Sequence, residues 1–384
     1  MKLPLLVAAG LGMALWSVAA TGNPPPCSLL ARVVGPEDFE VDASTTPARL
    51  LVSSQDRRRP ERPGAIFAVD LESGGRRRLP LRGRGRCSFH PHGVSLVPAA
   101  VGLAPRLYVV NLHDPDDAVA GCFPSAGEPD AVTSIEIFAV GDDELRFLQR
   151  LADPEVLTNA NDLVALPSGD FYATNPPGGR LSQLAELTHV PGLERSKVVG
   201  FRCRDRDAAT GLCSGEFSLT ATLGRYANGI AHREAGDGQP ERLYVAATGD
   251  GLHVLTLGGE KWTQQVRDEQ RELETLGGDN LTWADADKTR LLLAVHPDAR
   301  RFVQHSRTPR APAPSKVLAV PIASGVETVF EDSGGLISAA STAACVRGTL
   351  VLGQVFGHEL VRCRRPDLCP PEAEEGAGPP AEGL

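Results

Sequence analysis

The stretch TNANDLVALPSGDFYATN, residues 158–175, decides the fold. Its second half reads as a turn followed by a strand. Pro167-Ser168-Gly169-Asp170 punctuates, and Phe171-Tyr172-Ala173-Thr174 extends. Leu163-Val164-Ala165-Leu166 is a second short apolar strand. The hairpin therefore opens on a bare polar pair, Asn161-Asp162. Side-chain oxygens at the start of a strand are turn formers or ligands, and one copy does not say which.

The unit recurs. Strands of one kind begin at 49 (RLLVSS), 106 (RLYVVN), 170 (DFYATN), 242 (RLYVAAT), 290 (RLLLAV) and 349 (TLVLGQ). Upstream of each, a polar cluster opens another apolar run: GPEDFEV (35), FHPHGVSL (89), NANDLVAL (159), YANGIAH (226), GGDNLTW (277) and ISAASTAAC (337). Six copies of one strand-turn-strand unit with variable loops mark a radial repeat. The chain is expected to be all-β, a six-bladed β-propeller. Residues 181–200 leave room for a short helix over one face.

In a propeller the innermost strand of each blade lines the central channel. If the openings start those strands, Glu37 and Asp38, His92, Asn161 and Asp162, Asn228, and Asp279 and Asn280 all point at one axis. Converging carboxylates and amides with no nearby lysine repel one another. A hard cation resolves this, and oxygen-only ligands that include neutral amides favour calcium over zinc. The rival reading is a set of ordinary Asn/Asp/Gly turns. It explains any single opening well and five aligned openings poorly.

Composition sets the outer limits. The 384 residues are 42% hydrophobic, enough for a large core, and the net charge of −9 argues against a nucleic-acid partner. Residues 1–20 read as a secretion signal, with Lys2 as the charged start, 3–16 as the apolar run and small residues Ser17 to Ala20 for cleavage. An uncleaved N-terminal anchor is the alternative. No other segment is apolar enough to span a membrane, so the mature domain is expected to be soluble. Either way it lies outside the cytoplasm, secreted or periplasmic, where disulfides persist.

The cysteines are 27, 87, 122, 203, 213, 345, 363 and 369, with no CxxC. Cys203 and Cys213 flank a polar loop and are placed to pair. Cys27 and Cys363 lie near the two ends of the folded region, where a bridge would close the chain into a ring. Cys345, in the apolar run STAACV, is expected to be a buried thiol. Residues 366–384 are acidic and Pro/Gly-rich, the composition of a disordered tail. The arginine cluster at 76–86 reads as a solvated turn between blades. There is no GxSxG, no HExxH and no P-loop.

The chain resembles the paraoxonases, a family of calcium-dependent arylesterases and lactonases. The matching residues are Glu37-Asp38, FHPHGVS (89–95), NANDLVAL with FYATN, YANGI (226–230), DNLTW (279–283), HPD (296–298) and STAACVRGTLVLGQVFGHELVRC (341–363). The resemblance covers residues 27–363, and the propeller domain is placed at 27–365. It implies two calcium ions in the channel. One would take Glu37, Asn161, Asn228, Asp279 and Asn280. The other would take Asp38, Asp162 and the carbonyl of Val94. The family's ring-closing disulfide maps to Cys27 and Cys363. Asn280-Leu281-Thr282 is also a glycosylation sequon, discounted because that Asn is needed at the metal.

The implied activity is hydrolysis of lactones and aryl esters. A metal would polarise the carbonyl, and His92 would serve as general base. A second imidazole would relay the proton. The family pattern VVNHPD reads VVNLHDPD here, so His113 is an approximate match, and His296 is the other channel-side histidine. The aromatic-rich helices by which serum members hold lipoprotein have no counterpart in 181–200, and lipoprotein binding is not expected. Two other readings stay open. One is a gluconolactonase-like or strictosidine-synthase-like propeller of other specificity. The other is a secreted calcium-binding propeller without chemistry.

Overall fold

The computed structural model describes residues 27–114, 117, 133–177, 196–236, 238–258, 261–266, 277–323 and 325–370. The leader and residues 178–195, most of the segment read as a possible helix, lie outside the described residues. Lys197 onward is strand, not helix.

Among the described residues, twenty-five strands form six sheets, antiparallel throughout except where β6 runs parallel to β10. Strand β1 (Cys27–Arg32) stands apart from its neighbours in sequence. Blade 1 is β2 (Pro36–Asp42), β3 (Arg49–Ser54), β4 (Ala65–Asp70) and β5 (Arg76–Arg78). A short β6 (Leu81–Arg82) adds to the edge of blade 2, which is β7 (His90–Val97), β8 (Arg106–Leu112), β9 (Thr133–Val140) and β10 (Leu145–Leu151). Blade 3 is β11 (Leu163–Ala165), β12 (Phe171–Asn175), β13 (Lys197–Arg206) and β14 (Cys213–Thr222). Blade 4 is β15 (Ala227–Arg233), β16 (Arg242–Ala247), β17 (Gly251–Gly258) and β18 (Lys261–Val266). Blade 5 is β19 (Gly278–Trp283), β20 (Arg290–Val295), β21 (Ser315–Pro321) and β22 (Glu327–Asp332), with helix α1 (Ala299–Arg307) between its second and third strands. Blade 6 is β23 (Ala340–Val346), β24 (Thr349–Gln354) and β25 (Glu359–Arg364), completed by β1.

The ring closes because each blade is apolar on both faces. Strand β3 is buried at every position, as is β12. That is why these strands read as continuous runs rather than alternations. The apolar residues gather into six clusters, one between each pair of neighbouring blades. Leu51, Ile66, Leu107 and Phe138 join blades 1 and 2. Tyr108, Ile135, Phe171 and Phe201 join 2 and 3. Tyr172, Val198, Leu243 and Val245 join 3 and 4. Tyr244, Leu252, Leu291 and Leu318 join 4 and 5. Leu292, Val317, Leu350 and Val361 join 5 and 6. Leu50, Val52, Val351 and Leu360 bring 6 back to 1. The chain is a six-bladed β-propeller.

Three bridges lie among the described residues. Strand β1 pairs antiparallel with β25, Cys27 opposite Cys363, and a disulfide joins that pair across 336 residues of chain. Cys203 and Cys213 pair locally across the polar loop. Cys345 is not a thiol: it is bonded to Cys369. The turn after β25 folds back, with Cys369 N–H donating to Arg365 O, and Leu368 and Cys369 are buried. The folded region therefore reaches Cys369 rather than Arg365. An apolar strand context does not distinguish a buried thiol from a buried cystine. Cys87 is disulfide-bonded, and Cys122 lies outside the described residues.

The inner strands β2, β7, β11, β15, β19 and β23 contact one another in that order and close on themselves. Two glycines make the approach possible. A Cβ on Gly93 of β7 would lie 2.4 Å from Asp162 Oδ1 and 2.6 Å from Asp162 Cα. One on Gly229 of β15 would lie 2.5 Å from the Leu281 nitrogen and 2.6 Å from Asn280 Cα. The Gly93 N–H donates to Asn161 O at 3.0 Å.

Two outcomes follow from this packing. Replacing Cys27 and Cys363 together by serine removes the covalent latch while leaving the apolar clusters in place. Loop-closure entropy for so long a loop predicts a melting temperature lower by roughly ten degrees. Gly93→Ala drives backbone from backbone and should cost about 1–3 kcal/mol in denaturant titration. An unchanged midpoint would show that the inner ring is looser than its contacts indicate.

Candidate metal centre and active site

The residues singled out in the strand openings reach the axis through a shared device. In five of the six inner strands the pairing register slips at the first turn of the pleat. The slip falls between Pro36 and Asp38, Pro91 and Val94, Ala227 and Ile230, Gly278 and Leu281, and Ala340 and Thr342. The residues inside these bulges are Glu37, His92 with Gly93, Asn228 with Gly229, Asp279 with Asn280, and Ser341. A bulge frees its extra residue from the ladder and re-aims its side chain. In blade 3, Asn161 and Asp162 stand just ahead of β11.

Two carboxylates form the deeper pair. Asp38 Oδ2 accepts the Val94 N–H at 2.8 Å, and Oδ1 accepts the Thr342 hydroxyl at 3.3 Å. Asp162 Oδ2 accepts the Ile230 N–H at 2.9 Å, and Oδ1 its own neighbour's, Leu163, at 2.7 Å. Each side chain thus stitches its blade to the next. Burial pushes both carboxyls well above the usual carboxylate range, and Glu37 adds to it in each case. Asp162 raises Asp38 further.

Beside this pair lies a set of oxygens with nothing to accept. Glu37 Oε2, Asn161 Oδ1, Asn228 Oδ1, Asp279 Oδ1 and Asn280 Oδ1 are all buried without a hydrogen bond. Their side-chain partners are spent elsewhere. Asn280 Nδ2 donates to Glu37 O at 3.3 Å, and Asn228 Nδ2 to Thr248 Oγ1 at 3.4 Å. His296 Nε2 bonds Asp279 Oδ2 at 2.7 Å. Ser341 Oγ donates to Glu37 O at 2.6 Å. Each unsatisfied buried acceptor costs about 1–3 kcal/mol. Five gathered from four blades fit the donor set of a hard cation. Among the described residues no group of three or more His, Cys, Asp or Glu side chains gathers as a metal site. Neutral amides make up three of these five donors, a set suited to calcium rather than zinc.

His92 sits over the same oxygens. Its Nδ1–H donates to Asn161 O at 2.8 Å, which leaves Nε2 unprotonated and 3.6 Å from Glu37 Oε1. Burial pushes the imidazole down to about 4, against the pull of Glu37. It is a neutral base at neutral pH. His113 is elsewhere. It bonds Asp117 Oδ2 at 2.7 Å and Ser134 Oγ at 2.8 Å, and no hydrogen bond joins it to His92 among the described residues. Successive residues of an extended chain face opposite ways, so the inserted Leu112 sends the imidazole off. His296 is the histidine in contact with a cradle residue, and it packs on Phe302 of α1 with ring centroids 4.2 Å apart.

Two participants, Ser341 and Arg57, have no signal in the sequence, and His296, expected at the channel, has a partner that the sequence does not name. Ser341 lies in the sixth opening, whose small residues look like packing. His296 takes its partner from a strand in the same blade that only the fold brings back. Arg57, in the turn after β3, places Nη2 3.1 Å from Glu37 Oε2. The opening of each inner strand pairs with the end of its blade's second strand, as Pro36 does with Ser54, His90 with Leu112 and Gly278 with Val295. The described turns that follow β3 and β20 therefore lie at the end of the channel where the cradle lies.

The Arylesterase family profile matches residues 56–364. Serum paraoxonase/lactonase 3 of Homo sapiens is 26% identical over 315 residues, which are 79% of this chain and 77% of that protein. Serum paraoxonase/arylesterase 2 of Gallus gallus is 27% identical over 316 residues, with the same two shares. Among solved structures, a gluconolactonase of Xanthomonas campestris superposes with a TM-score of 0.49 at 13% identity, covering 88% of this chain and 89% of that one. With its family profile spanning most of the blades, the chain belongs to the Arylesterase family.

Proposed function

We propose that the protein hydrolyses lactones and aryl esters at the loop-bearing end of the channel, with two calcium ions as its resident cofactors. The observation that carries the reading is the set of five orphaned oxygens beside a neutral His92 whose Nε2 is free. Glu37, Asn161, Asn228, Asp279 and Asn280 would hold one ion, and Asp38, Asp162 and the carbonyl of Val94 the other. When bound, the first ion supplies Lewis-acid polarisation of the ester carbonyl and charge balance for the oxyanion.

The chain's own residues do the rest. His92 Nε2 accepts the proton of the attacking water, and the Asn161 carbonyl holds the imidazole in that tautomer through Nδ1–H. His296 orients Asp279, and Ser341 orients the Glu37 peptide. The proton leaves His92 without passing through His113, which is engaged with Asp117 and Ser134. The relatives are named for lactonase and arylesterase activity, and the two substrate classes come from them. The three disulfides among the described residues suit a protein that works outside the cytoplasm, delivered there by its leader. One propeller, 27 to 369, carries the whole site.

The test is a panel of lactones and aryl esters, assayed with calcium and with excess chelator. Turnover that survives exhaustive chelation would sink the reading. Chelation should also lower the melting temperature, since an ion held at a hundred times its Kd contributes about 2.7 kcal/mol.

Asp279→Ala or Asn280→Ala should abolish turnover of every ester and weaken calcium binding measured by calorimetry. His92→Gln should keep calcium and slow turnover by roughly two to four orders of magnitude. The pH profile follows from the sign of the His92 shift. A base must be neutral, so wild-type activity stays level through neutrality and falls only as pH approaches about 4. That limb should vanish in His92→Gln, measured at saturating calcium. A wild-type limb centred near pH 6.5, the ordinary histidine value, would place the base elsewhere.

A further inference from the structure

The turn after β3 carries two adjacent arginines with opposite fates. Arg58 spends both ends of its fork on packing the mouth, with Nε left unbonded. Its Nη1 donates to Phe356 O and its Nη2 to His305 O, both at 2.6 Å, and its guanidinium lies 5.3 Å from the Phe356 ring centroid. These bonds tie the turn to α1 and to the loop after β24. Arg57, fixed by its neighbour, turns inward to the cradle. Its side chain is only 16% exposed, and its one ion pair is with Glu37. Among the described residues it makes no hydrogen bond, and Nη2 is buried without one.

A guanidinium carries five N–H donors in a rigid fork. The Arg57 fork is mostly buried and spends none of them in a hydrogen bond among the described residues; its Nη2 is in ion-pair contact with Glu37 Oε2 without being hydrogen-bonded to it, so an acceptor presented at the mouth has open donors to meet. Glu37 also links Arg57 to the reacting centre, its Oε2 3.1 Å from Arg57 Nη2 and its Oε1 3.6 Å from His92 Nε2.

We propose that Arg57 is a specificity-determining residue that holds a carboxylate borne by the substrate, so that the preferred lactones and esters are anionic. This rests on the hydrolase reading above. A planar carboxylate matches the guanidinium fork with two parallel hydrogen bonds. The anchor would set the substrate's carbonyl beside His92 while adding nothing to the chemical step itself.

The experiment uses the calcium-loaded full chain and a matched pair, the γ-lactone paraconate and its neutral methyl ester. The acid should be preferred in kcat/KM by roughly tenfold or more at low salt. The preference should shrink as ionic strength rises. Arg57→Met should bring the ratio to near unity, and Arg57→Lys should restore part of it. Calorimetry supplies a readout without turnover. Itamalate, the hydrolysis product of paraconate, should bind the wild type more tightly than γ-hydroxybutyrate, and Arg57→Met should bind both alike. If the methyl ester is turned over as well as the acid, the hydrolase reading stands and the anchor is overturned. If neither lactone is turned over, the hydrolase reading fails, and calorimetry alone decides Arg57. Equal binding of the two product anions by wild type would then overturn the anchor.

Discussion

Buried oxygens converging on one axis, five of them without a hydrogen bond, are the constraint on which this structure depends. Left alone, Glu37, Asp38, Asp162 and Asp279 push one another apart, and burial aggravates the repulsion because the interior screens it little. The blades cannot relax outward, because six apolar clusters close the ring around them. The latch between β1 and β25 prevents the ring from opening at its seam. The core thus stores an electrostatic demand at the channel and supplies the rigidity that keeps it there. A cation bound at that point is a structural element as much as a catalytic one.

The way in which the demand is built is economical. A regular inner strand would spend its backbone on the ladder and send alternate side chains to the two neighbouring blades. The bulges at Glu37, His92-Gly93, Asn228-Gly229, Asp279-Asn280 and Ser341 interrupt that pattern only where each strand begins. Below the bulge the strands return to apolar packing, with Phe39, Val94, Ile230, Leu281 and Ala343 buried. Glycine accompanies two of the bulges because the next blade's backbone comes too near for a Cβ. The same few residues therefore carry ligand geometry, interblade contact and ring closure. Asp38 and Asp162 show the overlap most directly, since each accepts an amide from the following blade.

Much of this was legible in the sequence, and the reason is repetition. One NAND motif is ambiguous, but six openings in phase with six apolar strands define both the blades and the axis. The residues that line the cradle followed from that phase, and their division between two ion sites is what the family resemblance implies. What was not legible depends on distance in the chain or on a single inserted residue. Ser341 looks like any small residue in a packed strand until Glu37 is brought against it. The Cys345–Cys369 bridge needs a fold-back after β25 that composition assigns to a disordered tail. Leu112 lengthens a motif by one position, and strand alternation turns that into a different partner for His113. Arg57 sits in a loop with three further arginines, Arg58, Arg59 and Arg62, and nothing in the sequence sets it apart.

These successes and failures fall along a physical division. The inner strands are constrained from both sides by neighbouring blades, so their chemistry is tied to the repeat and is visible as a repeat. The loops after the second strands answer to no such symmetry. The turn at 55–64, the segment bearing α1 and the loop at 355–358 pack against one another through Arg58, His305 and Phe356, contacts that lie outside the repeat. On the proposed function, the cradle fixed by the repeat acts on any ester that reaches it, and the side chains held over the mouth decide which ester that is. Among the described residues of these loops, Arg57 is directed at the cradle and has no hydrogen-bond acceptor. Selection among substrates therefore falls to a residue outside the repeat, and a change there alters preference without disturbing the ring that performs the chemistry.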